Sequence, residues 1–380
     1  MKSKHRHIPF WQPQVGREEL GLVAEVLESS FLNDGEVTDL FEKRLASVLG
    51  AKHVITTTSG TTALFAALVA VGIKPGDEVL VPDVTFIATA NAVTMAGGTP
   101  MLVDVEPDTL TISPAAAAKA ITRKTRAILP VHLSGRAADM NALGPLARRY
   151  DLRIIEDAAE AFGSRYHDGR SLGTIGEVGC FSFSPNKLIT TGQGGAVATN
   201  DDGIASRLRE IKDQGRPKRG TGGDDTHVSV GFNFKFTNLQ AAVGIGQLEM
   251  FPGRRLRMRE IYRHYVTQLR ELENVRILGF AEGELPLWID AICGARDQLD
   301  AHLQEQNIHG RRFWHPLHTQ APYRRPDAQF PVSSAAARDA FWLPSSFLMA
   351  DEQIDRVCGS IRSFYSASGR GRGRTTAEAA

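Results

Sequence analysis

Lys187 stands between an apolar strand and a glycine-rich tract, in CFSFSPNKLITTGQGG. A lysine in a desolvated pocket, or beside another cation, loses its proton readily and can form a Schiff base. Asp157 ends the apolar run in IIEDAAEAFG, at the carboxyl end of a strand, where open α/β sheets bind ligands. A carboxylate held there can pair with a protonated ring nitrogen and raise that nitrogen's pKa. Glu160 follows within reach of the same ligand face. Ser59-Gly60-Thr61 comes directly after one strand and opens a helix. Free N–H groups at such a helix start, reinforced by the helix dipole, make an anion seat. Gly60 lets the backbone approach, Thr61 adds a hydroxyl, and Ser182 before the lysine can donate to a phosphate. Taken singly, each motif also reads as something plainer: an N-cap, a solvated acidic pair, a surface lysine.

A fourth stretch, GFNFKFTNLQ, alternates aromatic residues up to a helix start at Asn238, with Asn233 and Lys235 on one face of its extended part. The glycine tract after Lys187 lacks the strand–GxGxxG–helix order, so a dinucleotide fingerprint is not supported. His315-Pro316-Leu317-His318 offers two histidines at i and i+3. Pro316 argues against a helix and no third ligand is apparent, so no metal is expected. Arg254, Arg255, Arg257 and Arg259 read as a solvated helix face, with a place near a nucleotide diphosphate as the alternative, and His5 and His7 as part of a flexible terminus.

These residues need a scaffold, and the pattern supplies one. Apolar runs at 53–57, 78–82, 100–104, 126–131 and 152–156 alternate with helical stretches near 61–71, 86–96, 114–121 and 139–150. That alternation predicts a parallel sheet covered on both faces. Further strands are expected at 179–183 and 195–199, and a helix near 203–213. Residues 214–230 are polar, Gly-rich and charged, which predicts a mobile loop. One helix is expected from Asn238 and another from Arg254 to Leu272. The chain divides into a lead and large domain over 1–250, a small α+β domain over 251–365, and a disordered tail over 366–380.

With 42% hydrophobic and 23% charged residues, the chain has an ordinary globular mix, which excludes wholesale disorder. Lys and Arg total 44 against 43 acidic residues, a balance that argues against a dedicated nucleic-acid binder. The longest apolar stretch, Ala63 to Val71, is far short of the roughly 20 residues that span a bilayer. No apolar core follows the basic residues of MKSKHRHIPFWQP, so no secretory signal is expected. Cys180, Cys293 and Cys358 lie far apart without a CxxC, which predicts a reducing, cytoplasmic setting.

In order and spacing, SGTTAL, PGDEVLVPDVTFIATANAV, IIEDAAEAFGS, GCFSFSPNKLITTGQGGAVATND and FNFKFTNLQAAVGIGQLE resemble the DegT/DnrJ/StrS family of pyridoxal-phosphate-dependent nucleotide-sugar aminotransferases. The resemblance covers about 8–365. It implies an α/β fold of aminotransferase type I, with a mostly parallel seven-stranded sheet between helices and a smaller α+β C-terminal domain. It implies pyridoxal 5'-phosphate cycling with pyridoxamine phosphate. Lys187 matches the lysine that tethers the cofactor, and Asp157 the partner of its ring nitrogen. Phe86 matches the ring that stacks on it, and Gly60, Thr61 and Ser182 match phosphate contacts. Glu160 falls near the 3-hydroxyl, where many members carry Gln. Asn233 matches a residue reaching the phosphate from a neighbouring subunit, which implies a homodimer with shared active sites. Lys235 occupies a place often held by Arg, His315 and His318 lie near the sugar pocket, and Ser29–Gly35 resembles a lid over the partner's site.

The tract NKLITTGQGG, with EDAAEA and LPSS at 343–346, resembles perosamine-synthase-like enzymes that aminate C4 of 4-keto-6-deoxy sugars, although Gln193 replaces a usual Glu. Glutamate, or sometimes glutamine, is the donor this implies. C3-sugar and cyclitol aminotransferases share the scaffold and stand as alternatives. A dehydratase branch that replaces the lysine with His is disfavoured by Lys187. A regulatory protein that holds the cofactor without turnover is disfavoured by Lys187, Asp157 and the phosphate set together.

Overall fold

The computed structural model describes residues 6–219 and 225–367. His5, the centre of the 214–230 loop and the tail from 368 onward lie outside the described residues.

Two helices lead, α1 (Arg17–Ser29) and α2 (Glu36–Leu49). Then β1 (His53–Thr57), α3 (Gly60–Ala70), β2 (Glu78–Pro82), α4 (Ala88–Met95), β3 (Thr99–Val103), α5 (Pro114–Ala120), β4 (Thr125–Ile128), α6 (Met140–Tyr150), β5 (Arg153–Asp157), β6 (Val178–Ser182), β7 (Gly195–Thr199) and α7 (Asp202–Lys212) follow. They form a seven-stranded sheet of order β1-β7-β6-β5-β4-β2-β3. β7 is antiparallel to both its neighbours, while β6, β5, β4, β2 and β3 run parallel. The strands read as unbroken apolar runs because both faces are covered. Ile55, Val79, Val81, Ala127, Ile155, Cys180 and Val197 pack on the side of α3. Val54, Leu80, Ile128, Ile154, Phe181 and Ala196 pack on the other side, with α2 and the long helix that begins at Asn238, as the period-2 alternation of a strand requires.

The long helix α8 (Asn238–Leu269) is one element, where two helices were expected. Pro252 lies inside it. The buried positions Gln247, Phe251, Arg254, Met258, Ile261, Tyr265 and Leu269 run through the proline as one helical stripe, so packing along its whole length outweighs the missing N–H. The remaining elements are β8 (Val275–Ile277), β9 (Ile289–Cys293), α9 (Arg296–Glu305), β10 (Arg311–Arg312), α10 (Pro331–Asp339), β11 (Ala340–Leu343) and α11 (Asp351–Ala367). Their strands make an antiparallel sheet of order β10-β11-β9-β8. Ser366 and Ala367, expected in the tail, continue α11.

The base of the 214–230 loop is pinned. Phe232 N–H donates to Ile211 O at 2.7 Å, Gln214 N–H to Phe232 O at 3.0 Å and Phe234 N–H to Lys212 O at 3.0 Å. No helix among the described residues is long and apolar enough to cross a membrane.

Candidate active site

A cavity of about 380 Å³ opens at the carboxyl ends of the strands, where loops from several βα units converge. Asp157, the last residue of β5, enters it almost wholly buried. Its Oδ2 accepts from the Thr89 hydroxyl at 2.8 Å and its Oδ1 from Ala159 N–H at 3.1 Å. Burial holds this carboxyl above the usual range, against the opposing Thr89 hydroxyl, Ala159 amide and Lys187 charge. A buried carboxylate of this kind is stabilised by a cationic partner.

Glu160 is buried beside it. Ser134 N–H donates to its Oε2 at 2.8 Å and the Trp314 indole N–H to its Oε1 at 3.2 Å. Burial raises this carboxyl too, opposed chiefly by Lys187 and the Ser134 amide. Beneath the pair, Glu156 accepts from Gly173, Ile175 and Gly176 N–H and from His132 Nε2. Because His132 Nδ1 accepts Ala138 N–H, its proton sits on Nε2 and the ring is neutral. That buried negative charge is therefore met by four donors.

Lys187 lies on a tight loop after β6. Thr191 N–H and the Thr190 hydroxyl both donate to Phe183 O, and Phe183 N–H to Gly194 O. From below, Arg254 donates to Leu188 O at 2.7 Å and to Gln247, whose Oε1 also accepts Thr190 N–H. Arg254 is thus not part of a solvated face. It is buried over the Phe347 ring, and burial lowers its pKa to about 10. The Lys187 ammonium lies 5.0 Å from the Trp288 ring centroid. Burial lowers the lysine's pKa, with Glu160 and Asp157 opposing. The amine is therefore easier to deprotonate than an ordinary lysine.

The anion seat forms at the start of α3. Ser59 caps the helix by accepting Thr62 N–H at 3.1 Å, which leaves the amides of Gly60 and Thr61 without partners among the described residues. Gly60 is required by proximity: a Cβ there would stand 2.9 Å from Ser182 Cβ. Phe86, half exposed just before α4, holds its ring 5.1 Å from that of Trp314.

Gly60, Thr61, Phe86, Asp157, Glu160, Ser182 and Lys187 therefore line one cavity. Asn233, Lys235, His315 and His318 do not. Asn233 is exposed and bridges Asp213. Lys235 pairs with Asp213 at 2.7 Å. His315 is exposed. His318, expected against the sugar, is fully buried instead: its Nδ1 lies 2.6 Å from Asp83 Oδ2 and its ring stacks on Phe330. It ties the segment after β10 to the loop after β2.

Thr89, Ser134, Trp288, Arg311 and Trp314 were missed by sequence reasoning. Thr89 had a signal, three residues after Phe86 at a helix start. Trp314 and Arg311 stand just before HPLH, and Trp288 carried no local signal.

A pyridine aldehyde bearing a phosphate asks a protein for an amine, an acid beside the ring nitrogen and an anion seat at matched places. The cavity presents all three, and the buried Asp157 lacks only a cation. The fold and cavity are those of a type I pyridoxal-phosphate-dependent aminotransferase.

The comparisons agree. The profile of the DegT/DnrJ/EryC1/StrS aminotransferase family matches residues 13–362, and the chain belongs to that family. It is 37% identical to the GDP-perosamine synthase of Caulobacter vibrioides over 92% of this chain and 96% of that protein. It is 35% identical to the GDP-perosamine synthase of Escherichia coli O157:H7, over 95% and 99%. The structure of DesV from S. venezuelae, solved with a ketimine intermediate, superposes with a TM-score of 0.89 at 34% identity, covering 94% of this chain and 98% of that one. Pyridoxal phosphate is the cofactor, and the chain is an aminotransferase.

Proposed function

We propose that the enzyme transfers an amino group to C4 of a nucleotide-linked 4-keto-6-deoxyhexose, with glutamate as donor. The observation that carries this reading is the Lys187 amine lining one cavity with Asp157 and Glu160, in a chain related over almost its whole length to GDP-perosamine synthases.

Bound pyridoxal phosphate supplies an electron sink that lets a proton leave the carbon bearing nitrogen. The protein does the rest. Lys187 holds the cofactor covalently at rest. Displaced by the donor amine, its neutral ε-nitrogen would take the proton from the donor α-carbon as a general base and deliver it, as a general acid, to the carbon that had carried the cofactor's aldehyde oxygen. Its lowered basicity suits both directions. Asp157, fixed by Thr89 and Ala159, keeps the ring nitrogen protonated. Gly60, Thr61 and Ser182 would hold the phosphate, Phe86 would cover a ring face, and Glu160 would serve the 3-hydroxyl, all from the lining of one cavity.

The working assembly in this reading is a homodimer. Asn233 is exposed and outside its own chain's cavity, as a residue that serves a partner's site would be. Ser29–Gly35 is its companion lid. Asn238 anchors that segment, accepting Thr38 N–H at 3.0 Å and donating its side-chain amide to Phe31 O at 3.1 Å.

The test is direct. The holoenzyme is incubated with L-glutamate and a GDP-linked 4-keto-6-deoxyhexose, and the new amine is located by NMR. Nitrogen at C4 supports the reading. Nitrogen transferred only to a 3-keto sugar or an inosose would replace it with one of those activities. Borohydride reduction of the resting enzyme is expected to leave a pyridoxyl group on the peptide containing Lys187.

A further inference from the structure

Ser134 to Ala137, the turn between β4 and α6, is tied residue by residue to β9 and the segment leading into it. Leu287 N–H donates to Ser134 O at 2.9 Å. Gly135 O accepts the Ser164 hydroxyl at 2.8 Å, and that hydroxyl accepts Leu285 N–H at 2.9 Å. A Cβ at Gly135 would stand 1.9 Å from Leu285 O. Arg136 pairs with Asp290 of β9, both of them buried, and its guanidinium lies 5.0 Å from the Phe280 ring centroid. Ala137 N–H donates to Glu284 Oε1 at 2.8 Å.

Ser134 itself has φ 52° and ψ 19°. Non-glycine residues populate this left-handed region sparsely, and they stay there where the surroundings enforce it. The buried Ser134 hydroxyl stands near Asp290 without closing a hydrogen bond. The site uses the backbone of this residue instead, because Ser134 N–H donates to Glu160 Oε2 at 2.8 Å. Of the ties on the turn, Arg136–Asp290 is the one whose partners are both charged. A buried ion pair adds little to net stability, but it can fix which groups meet. Two residues from Ser134, this one sets the register of the turn against β9.

Resting on the role proposed for Glu160 beside the cofactor, we propose that Arg136 and Asp290 are positioning residues. Their ion pair holds Ser134 in its left-handed conformation and so aims its N–H at Glu160. That N–H favours the charged form of the carboxyl. A negative charge there favours a proton on the cofactor beside it. The second sheet thereby sets the protonation of the group that Glu160 serves, although neither Arg136 nor Asp290 touches it.

The test uses the holoenzyme with Arg136→Met/Asp290→Leu, with Ser134→Gly, and with all three substitutions. Replacing both ions together keeps the net charge and leaves no buried charge unmet, so the fold is expected to survive. Hydrogen exchange over residues 131–137, read by mass spectrometry, reports the turn. The pH midpoint of the cofactor's absorbance change reports Glu160. The paired substitution is expected to speed exchange by roughly tenfold or more and to lower the midpoint by roughly half a pH unit or more. Adding Ser134→Gly is expected to restore both toward wild type, because glycine takes the left-handed conformation without the ion pair. A midpoint that the paired substitution leaves unmoved would make the pair merely structural and overturn the proposal. A loss that glycine does not restore would overturn it too. Ser134→Gly alone is expected to keep both readings and to melt no lower than wild type. A clearly lower melt would show that Ser134 is not held against its preference, which decides the matter even if the paired variant fails to fold. Glu160→Gln is the control. A midpoint indifferent to it would bring down the role proposed for Glu160, and exchange would then decide whether the ion pair holds the turn.

Discussion

Trp314 reaches from the segment after β10 to donate its indole N–H to Glu160, which is positioned by β5. Ser134 N–H occupies the other carboxylate oxygen. Both oxygens therefore face donors, and only an acceptor at both ends satisfies them. A glutamine amide would turn its NH2 toward one donor in either orientation. Glu160→Gln is expected to cost about 1–3 kcal/mol through the buried donor left unmet. Denaturant unfolding measures the cost, and tryptophan emission, compared with a Trp314→Phe control, shows whether the indole has moved. Unchanged stability and emission would show that the carboxylate does not hold Trp314.

Asp157 predicts a pH effect with a definite sign. Its folded pKa is raised, chiefly by burial. Its contribution to the stability of the cofactor-free protein is fully present below its unfolded pKa of roughly 3.9 and is lost as pH rises through the folded value. Asp157→Asn removes that loss. The Thr89 hydroxyl can turn to accept from the new amide, because Phe86 O lies 3.1 Å away to take its proton. Without cofactor, Asp157→Asn should therefore melt higher than wild type near neutral pH, with the gap closing in acid, while transamination falls steeply. A thermal melt series across pH reads it. A variant that melts lower than wild type near pH 7 would contradict the charge argument.

The phosphate seat makes a narrower prediction. Gly60→Ala places a methyl 2.9 Å from Ser182 Cβ. Backbone or Ser182 must shift at the start of α3. We expect cofactor affinity to drop by roughly tenfold or more, consistent with about 1.4 kcal/mol or more of lost contact, with little change in the fold. Cofactor release followed by absorbance, alongside far-ultraviolet circular dichroism, separates the two.

Shared sites can be tested without a new structure. If Asn233 serves the partner's cavity, a dimer of one Lys187→Ala chain and one Asn233→Ala chain carries both defects in the same site. The other site of every such mixed dimer is then intact. Co-expressed variants should regain activity that neither shows alone. Mixtures no more active than the better parent would place Asn233 outside the partner's site.

The strands and helices of the large sheet were legible because their signals are local. Apolar runs covered on both faces, Pro and Gly at the joints, and Ser59 before α3 act over a few residues. So were Lys187, Asp157, Gly60 and Ser182, because each sits where a strand ends and a turn begins. What the tertiary structure alone decided is which side chains meet. Arg254 reads as one of four surface arginines, yet packing drives it under the Lys187 loop. His318 reads as a pocket residue, yet Asp83, distant in the chain, captures it. Trp288, Trp314 and Arg311 join the site because the second sheet packs against the mouth of the first. Partner choice and burial are set by the three-dimensional positions of groups far apart in sequence, and local spacing carries no record of them.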